Sequence, residues 1–523
     1  MTLNVREMKE RPAGDNETRP GDRKMKLSEL LTGAEIGEVI GPDDIDIRSI
    51  TYDSRKAVAG AMFFALHGEK LDGTGFIGDA LKRGATAIAA ENLPSRNFPP
   101  DRTLVELLPG SQRRGLASIA ANFYGHPADA LELVGVTGTN GKTTTSFLID
   151  SILQAAGSTA GLVGTTGYRT PKGNRKAVNT TPESLDLQEM FAEVRDAGGT
   201  HAVLEVSSHA LKFDRTWGCH FAVAVFTNLT RDHLNFHKTF EDYFAAKRRL
   251  FEGTGAGAPD VAVINADDGY APRLEGLTRR VITYGLEGTP DLTTKKFSLT
   301  IHGLQFMVHT PAGRVEVNSS LVGRINVYNI LAAIGAGIGL GIPLARIEDG
   351  IANLRLVPGR FQIIDEGQPF LVVVDYAHAD DALRNLVNTA RELNPEGRVI
   401  TLFGAGGERD RSTRPLMGEA AGVVSDLVIL TSDNPRSEDP LRIINDVVVG
   451  LQKVNAKYCI EADRDAALQI ALEEARPGDI VLLAGKGHEN YQILHDRTFE
   501  FDDREKARAI LRRKGFRKES DAL

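Results

Sequence analysis

The stretch that decides the fold is Leu131–Thr145, LELVGVTGTNGKTTT. An apolar strand runs through glycines into a segment whose apolar positions Phe147, Leu148, Ile152 and Leu153 recur at helical spacing. Strand, loop and helix in that order form a phosphate loop. Gly138 and Gly141 let backbone N–H groups approach a polyphosphate, and Thr139, Asn140 and Thr144 complete the block. Lys142 adds a mobile positive charge, and Thr143 offers a hydroxyl to Mg²⁺ at the helix start. The first glycine of the usual G-x-x-x-x-G-K-[ST] pattern would fall at Val136, with Gly135 one place early.

Downstream, THAVLEVSSHAL, FAVAVFTNLTRDHLNFH and VAVINADD each read as a buried strand ending in polar residues, as parallel sheets require. A more β-rich stretch follows (FSLTIHGLQFMVHT, GRVEVNSSLVG), then the Gly-rich run Ile330–Ala345, too short to span a bilayer and interrupted by Pro343; it reads as a buried helix. LRLVPGRFQ has the Pro and Gly of a linker, after which four apolar strands alternate with helices: FLVVVDYAH, RVITLFGAGGERD, DLVILTSDNPR and DIVLLAGKGHE. That alternation predicts a doubly wound, Rossmann-like parallel sheet, with the polar ends of its strands gathered at the carboxyl edge where such sheets bind ligands. Upstream, residues 26 to 110 carry the signals of a small α/β unit. The fold class is therefore α/β in three domains: 25–111, a central P-loop-type domain over 112–357, and a C-terminal domain over 358–523, after a polar extension over 1–24 expected to be disordered. Met25 is the expected start of the folded chain.

The chain has 523 residues, 41% hydrophobic and 25% charged, with a formal charge of −8. This is the composition of a globular protein with no basic field for nucleic acid. Two cysteines, Cys219 and Cys459, exclude a disulfide framework and fit core residues in a reducing cytoplasm.

GVTGTNGKTTT, EVSSHAL, TNLTRDHLNFH, DYAH, DNPR and AGKGHE, in this order, resemble the Mur ligase family of ATP-dependent peptidoglycan-precursor amide ligases. Residues alone leave several positions open. Glu205 and His233 read as polar strand ends, Lys247 as a solvated helix lysine, and Asn326 and Asn329 as capping residues. The resemblance implies that Glu205 and His233, with Thr143, hold Mg²⁺. It also implies that Lys247 is carbamylated into a metal-bridging carboxylate and that the two asparagines face adenine. Tyr52 and Ser54, with Glu69 to Leu71, become contacts for a uridine nucleotide; Asn179, Thr180, Thr181, Ser207 and Arg215 become contacts for a sugar-peptide or diphosphate.

At the C-terminal edge, Arg409, Asp433, Asn434, Pro435, Arg436, Gly485 and Glu489 mix cations and carboxylates, which suits a zwitterion. In the family, Asp-Asn-Pro-Arg marks members that add meso-diaminopimelate; a second carboxylate, absent from lysine, gives Arg436 its partner. The implied reaction joins meso-diaminopimelate to UDP-N-acetylmuramoyl-L-alanyl-D-glutamate through an acyl phosphate. ATP is the co-substrate, Lys142 and Lys247 serve catalysis, and His209 or His378 have supporting roles. A cytoplasmic monomer with no membrane insertion is expected. A lysine- or glutamate-adding relative, or a P-loop NTPase acting on a partner, is the alternative.

Overall fold

The computed structural model describes residues 23–68, 71–91 and 98–518. Two compact units separate at His126 and Pro127. The expected extension falls almost wholly on residues 1–22, and Glu69 and Lys70 of the expected uridine loop are also outside the described residues.

The first unit holds a five-stranded sheet in the order Ile36–Ile40, Thr103–Leu107, Ala87–Ala90, Ala61–Phe64, Ser49–Thr51. Its inner strands are parallel and the Ile36–Ile40 edge is antiparallel. Phe63, Ala65, Ile88, Ala90 and Leu104 are its buried centre. Helix Gln112–Tyr124 ends at Gly125, whose φ of 69° is the left-handed turn that glycine accepts at a helix end.

A two-stranded pair, Met25–Lys26 with Asp46–Ile47, also lies in the first unit, and the second unit carries the other sheets. The phosphate-loop strand Glu132–Thr137 lies at the middle of an eight-stranded sheet, parallel to His201–Glu205 on one side and Phe221–Phe226 on the other. Helices Lys142–Ala155 and Arg324–Gly339 cover one face through Leu148, Ile152, Val327, Ile330 and Leu331. Helices Ser184–Asp196 and Phe240–Glu252 cover the other through Leu187, Phe191, Tyr243, Phe244, Leu250 and Phe251. With apolar helices on both faces, every central strand reads as a continuous apolar run. Only the first part of the Gly-rich run, to Gly339, lies in the buried helix Arg324–Gly339; the run then turns at Pro343 into a separate helix, Leu344–Asn353, which corrects its reading as one helix.

The C-terminal sheet has six strands in the order Gln362–Ile364, Leu371–Asp375, Ile480–Ala484, Val399–Phe403, Leu427–Leu430, Tyr458–Ile460. The four apolar strands read from the sequence form its parallel centre. The two edge strands are short and only partly buried, so they lack the apolar run that marks the others. Cys459 sits on one of these edges, half-buried, which corrects its reading as a core residue; Cys219 is buried. Among the described residues no helix is long and apolar enough to cross a membrane.

Candidate active site

The phosphate loop is braced by the next strand. Asn228 accepts from the Asn140 N–H through its side chain at 2.9 Å and from the Thr139 N–H through its carbonyl at 2.8 Å, while the Thr227 hydroxyl donates to the Asn140 carbonyl at 2.6 Å. Gly138 has φ 146° and Gly141 φ 89°, both left-handed, and a Cβ at Gly138 would collide with Thr227 Oγ1. The Lys142 ammonium donates to the Gly138 and Thr139 carbonyls, each at 2.8 Å.

Lys247 reaches the same Gly138 carbonyl from helix Phe240–Glu252, donating at 2.7 Å. It is 1% exposed and stacked over the Tyr243 ring, 4.5 Å from its centroid. This corrects the reading of a solvated lysine: Lys247 lies on the helix's apolar face with Tyr243, Phe244, Leu250 and Phe251. Burial, reinforced by the Lys142 charge, pushes its pKa well below the usual lysine range, which favours the neutral amine.

Glu205, at the end of strand His201–Glu205, is buried. It accepts from the Thr143 hydroxyl at 3.0 Å, the Thr165 N–H at 2.8 Å and the Thr165 hydroxyl at 3.0 Å. His233 begins helix Leu234–His237 with a left-handed φ of 55° and lies 3.3 Å from Asp232. Burial holds its imidazole far below the usual range despite that carboxylate. Burial also opposes ionisation of Asp232, but His233, His378 and Lys142 hold its pKa below the usual value. Among the described residues no group of three or more His, Cys, Asp or Glu stands as a complete metal cage. A hydroxyl, one carboxylate and a neutral imidazole beside a phosphate loop do fit a magnesium ion that shares its coordination with phosphates and water.

The remaining nucleotide and sugar-peptide candidates continue from this point. Asn326 lines the cleft, whereas Asn329 donates to Asn326 Oδ1 at 2.8 Å and presents its own oxygen to the Thr145 hydroxyl at 3.4 Å, bracing the loop. The Thr181 hydroxyl donates to the Glu205 carbonyl at 2.7 Å and accepts from the Ser207 N–H at 3.0 Å. Arg215 donates to the Thr181 carbonyl at 2.9 Å and pairs with Glu183 at 3.0 Å. Thr180 meets Thr165 at 3.2 Å, and the exposed Asn179 is tethered by the Tyr168 hydroxyl at 2.6 Å. Tyr52 and Ser54 belong to the first unit; Ser54 is buried and opens a short helix capped by Asp53. His209 stacks on Phe236 with ring centroids 4.1 Å apart, and His378 is exposed with Nδ1 2.9 Å from the Tyr376 carbonyl.

Thr139–Thr144, Thr180, Glu205, Ser207, His233, Asn326 and His378 open onto a cleft of about 370 Å³ whose far wall is the carboxyl edge of the C-terminal sheet: Asp433, Asn434, Arg436, Gly485, Glu489 and, at its exposed mouth, Arg409; Asn179, Thr181, His209 and Arg215 lie outside its lining. Asn434 Nδ2 donates to Glu489 at 3.0 Å, and Asn434 Oδ1 accepts from the Ile493 N–H at 3.0 Å. Arg436 has φ 55°, and its Nη1 donates to the carbonyls of Gly407 at 2.6 Å and Asn434 at 3.4 Å. His233, Phe361 and Arg436 all line the cleft in left-handed backbone, a conformation that persists only where surroundings enforce it.

Three residues absent from the sequence reading join this site. Lys486, fully buried, lies 3.3 Å from Asn434 Oδ1, 3.3 Å from Glu489 and 3.6 Å from Asp433. Arg360, in the stretch read as a linker, donates to the Thr143 hydroxyl at 3.1 Å and lies over the Tyr376 ring at 4.5 Å. Asp381 accepts from Asn140 Nδ2 at 2.9 Å. Only the glycines flanking Lys486 marked it in the sequence.

The models of three families match consecutive parts of the chain: "Mur ligase family, catalytic domain" over 46–124, "Mur ligase middle domain" over 136–337 and "Mur ligase, glutamate ligase domain" over 359–487. The UDP-N-acetylmuramoyl-L-alanyl-D-glutamate--2,6-diaminopimelate ligase of Solibacter usitatus is 50% identical over 496 residues, 94% of this chain and 99% of that protein. The protein of the same name from Geobacillus thermodenitrificans is 43% identical over 493 residues, 93% and 99% of the two chains. A solved UDP-N-acetylmuramoyl-L-alanyl-D-glutamate--2,6-diaminopimelate ligase aligns with TM-score 0.64 at 33% identity, covering 94% of this chain and 99% of its own. The MurF ligase of Thermotoga maritima in complex with ADP shares the fold, with TM-score 0.61 at 22% identity over 84% and 94% of the two chains.

Proposed function

The chain belongs to the Mur ligase family, and from that premise we propose that it joins meso-diaminopimelate to UDP-N-acetylmuramoyl-L-alanyl-D-glutamate at the expense of ATP. The observation that carries the reading is the single cleft with a phosphate loop on one wall and a paired set of cations and carboxylates on the other. The expected boundary at 111/112 moves to His126 and Pro127, because helix Gln112–Tyr124 belongs to the first unit, and a boundary at 357/358 separates ATP and amino-acid domains. The enzyme acts as a cytoplasmic monomer.

In the first step the D-glutamate side-chain carboxylate attacks the γ-phosphorus of ATP, forming an acyl phosphate and releasing ADP. In the second the amine of meso-diaminopimelate attacks the acyl carbon, phosphate leaves with the C–O bond electrons, and the amine gives up a proton. Backbone N–H groups of Gly141–Thr144 and the Lys142 ammonium hold the phosphates and offset charge as the phosphoryl group transfers. Thr143, Glu205, His233 and carbamylated Lys247 would hold Mg²⁺, which neutralises phosphate charge when bound. Asn326 meets the adenine and Asn329 braces the loop. Tyr52 and Ser54 read the uridine nucleotide; Asn179, Thr180, Thr181, Ser207 and Arg215 read the sugar-peptide or diphosphate.

Across the cleft, Asp433, Asn434 and Glu489 receive an ammonium, and Arg436 with Arg409 receives the distal carboxylate, while Gly485 leaves room for the chain. Lys486 offsets one of the two carboxylates, leaving one negative charge for one ammonium. Mass spectrometry of the product from UDP-sugar dipeptide, ATP and either meso-diaminopimelate or L-lysine tests the reading. Incorporation of diaminopimelate alone is expected; equal incorporation of lysine refutes it.

A further inference from the structure

One ion pair outside the cleft is fully buried on both sides. Arg464 opens helix Arg464–Glu474 and Asp503 opens helix Asp503–Arg513, each 0% exposed. Arg464 Nε donates to Asp503 Oδ1 at 2.9 Å and Nη2 to Asp503 Oδ2 at 2.6 Å. The same guanidinium donates through Nη1 to the Ser432 carbonyl at 3.3 Å and through Nη2 to the Ala484 carbonyl at 2.9 Å.

Those two carbonyls belong to the residues immediately before Asp433 and Gly485. They come from strands that do not pair, because Val399–Phe403 lies between Ile480–Ala484 and Leu427–Leu430. At Gly404 the middle strand has ended; its neighbours' extensions meet again only further out, in the isolated parallel bridge of Arg436 with Leu494, and no backbone pairing joins Ser432 to Ala484. The guanidinium spans the gap at the strand ends, one planar cation tying the backbones of the two walls of the amino-acid site behind the Lys486 and Asn434–Glu489 side-chain contacts. Asp503 fixes the cation from behind and cancels its charge, so the pair adds geometry and little net charge. A buried ion pair is a weak source of stability compared with apolar residues of the same volume. What an apolar pair could not do is gather carbonyls from two unpaired strands.

We infer that Arg464, held by Asp503, is a positioning residue that sets the spacing of Asp433 against Gly485 and Glu489 and thereby governs acceptance of the amino-acid substrate. The inference rests on the cleft being the amino-acid site.

The test uses the full chain with Arg464→Lys, Asp503→Asn and the apolar double variant Arg464→Met with Asp503→Leu, measuring KM for all three substrates, kcat and the melting temperature. KM for the amino acid rises roughly tenfold or more in the double variant, since misplacement by about 1 Å can cost up to a hundredfold. KM for ATP and for the UDP-sugar dipeptide stays within about twofold, and Arg464→Lys, which keeps the charge and part of the donor set, recovers part of the loss. Should the double variant fail to fold, the single variants carry the same comparison. An unchanged amino-acid KM, or three KM values rising together in step with lost melting temperature, overturns the inference. The amino acid used is whichever one the unaltered enzyme incorporates, so a failed substrate assignment is seen first and separately.

Discussion

Replacing Arg436 by alanine separates the amino-acid site from the nucleotide site. The guanidinium is half-buried, and its Nη1 is committed to the Gly407 and Asn434 carbonyls, which leaves Nε and Nη2 as the edge a carboxylate can bridge. A hydrogen bond to a charged group contributes about 1.5–3 kcal/mol, and stripping one partner from a buried charged pair costs about 2–5 kcal/mol. Partial exposure favours the lower part of that range, so the loss should be about 3 kcal/mol, roughly a hundredfold in kcat/KM for meso-diaminopimelate. Alanine keeps a Cβ at φ 55°, so the backbone cost is the same before and after, which a glycine replacement would not ensure. The assay is phosphate release with saturating ATP and UDP-sugar dipeptide, titrating meso-diaminopimelate and then L-lysine. Lysine has no distal carboxylate, so its background signal should be unchanged while diaminopimelate use falls toward it. Equal losses for diaminopimelate and ATP, or an unaltered ratio between the two amino acids, would refute the assignment.

Three further outcomes follow from the geometry. Lys247→Met removes a buried nitrogen from an apolar helix face, so the melting temperature should hold or rise while ligase turnover falls below about 1%; retained turnover with intact folding would exclude a catalytic Lys247. Gly406→Ala places a Cβ 3.3 Å from Arg436 Nη1, 3.4 Å from Arg409 Cγ and 3.7 Å from Asp433 Oδ2. Kinetics should show a raised KM for the amino acid alone, and a matching rise for ATP would mean that Gly406 does not border the amino-acid site. Burial pushes His233 down to about 3, His237 to about 4 and His488 to about 4. Unfolded histidine titrates near pH 6.5, so below that value the unfolded chain binds more protons than the folded one and stability declines as pH falls. Denaturant melts at about pH 6.5 and 5, above the main carboxylate range, should show that decline, and His488→Gln should make it shallower; a flat or opposite trend would contradict burial of neutral histidines.

The parts of this molecule that can be read from sequence are those whose causes are local. The phosphate loop is legible because strand, glycines, lysine and helix are contiguous, and the four central strands of the C-terminal sheet because burial on both faces writes an unbroken apolar run. Lys247 was legible in principle: Tyr243, Phe244, Leu250 and Phe251 mark an apolar stripe that runs through position 247, and a lysine in such a stripe is buried with its charge in question. Arg360 and Lys486 were hidden because their partners come from elsewhere, Thr143 lying 217 residues away and Asn434 52. Arg464 is the limiting case. As the first residue of a helix behind the capping Asp463 it carries every local mark of a surface arginine, yet its donors end on Ser432, Ala484 and Asp503, which are 32, 20 and 39 residues distant. Local pattern fixes which strands form and which residues end them. The distance between two strand ends that share no ladder is set by whatever bridges them, and that bridge has no local signature, so substrate discrimination of this kind is visible only once the sheet order is known.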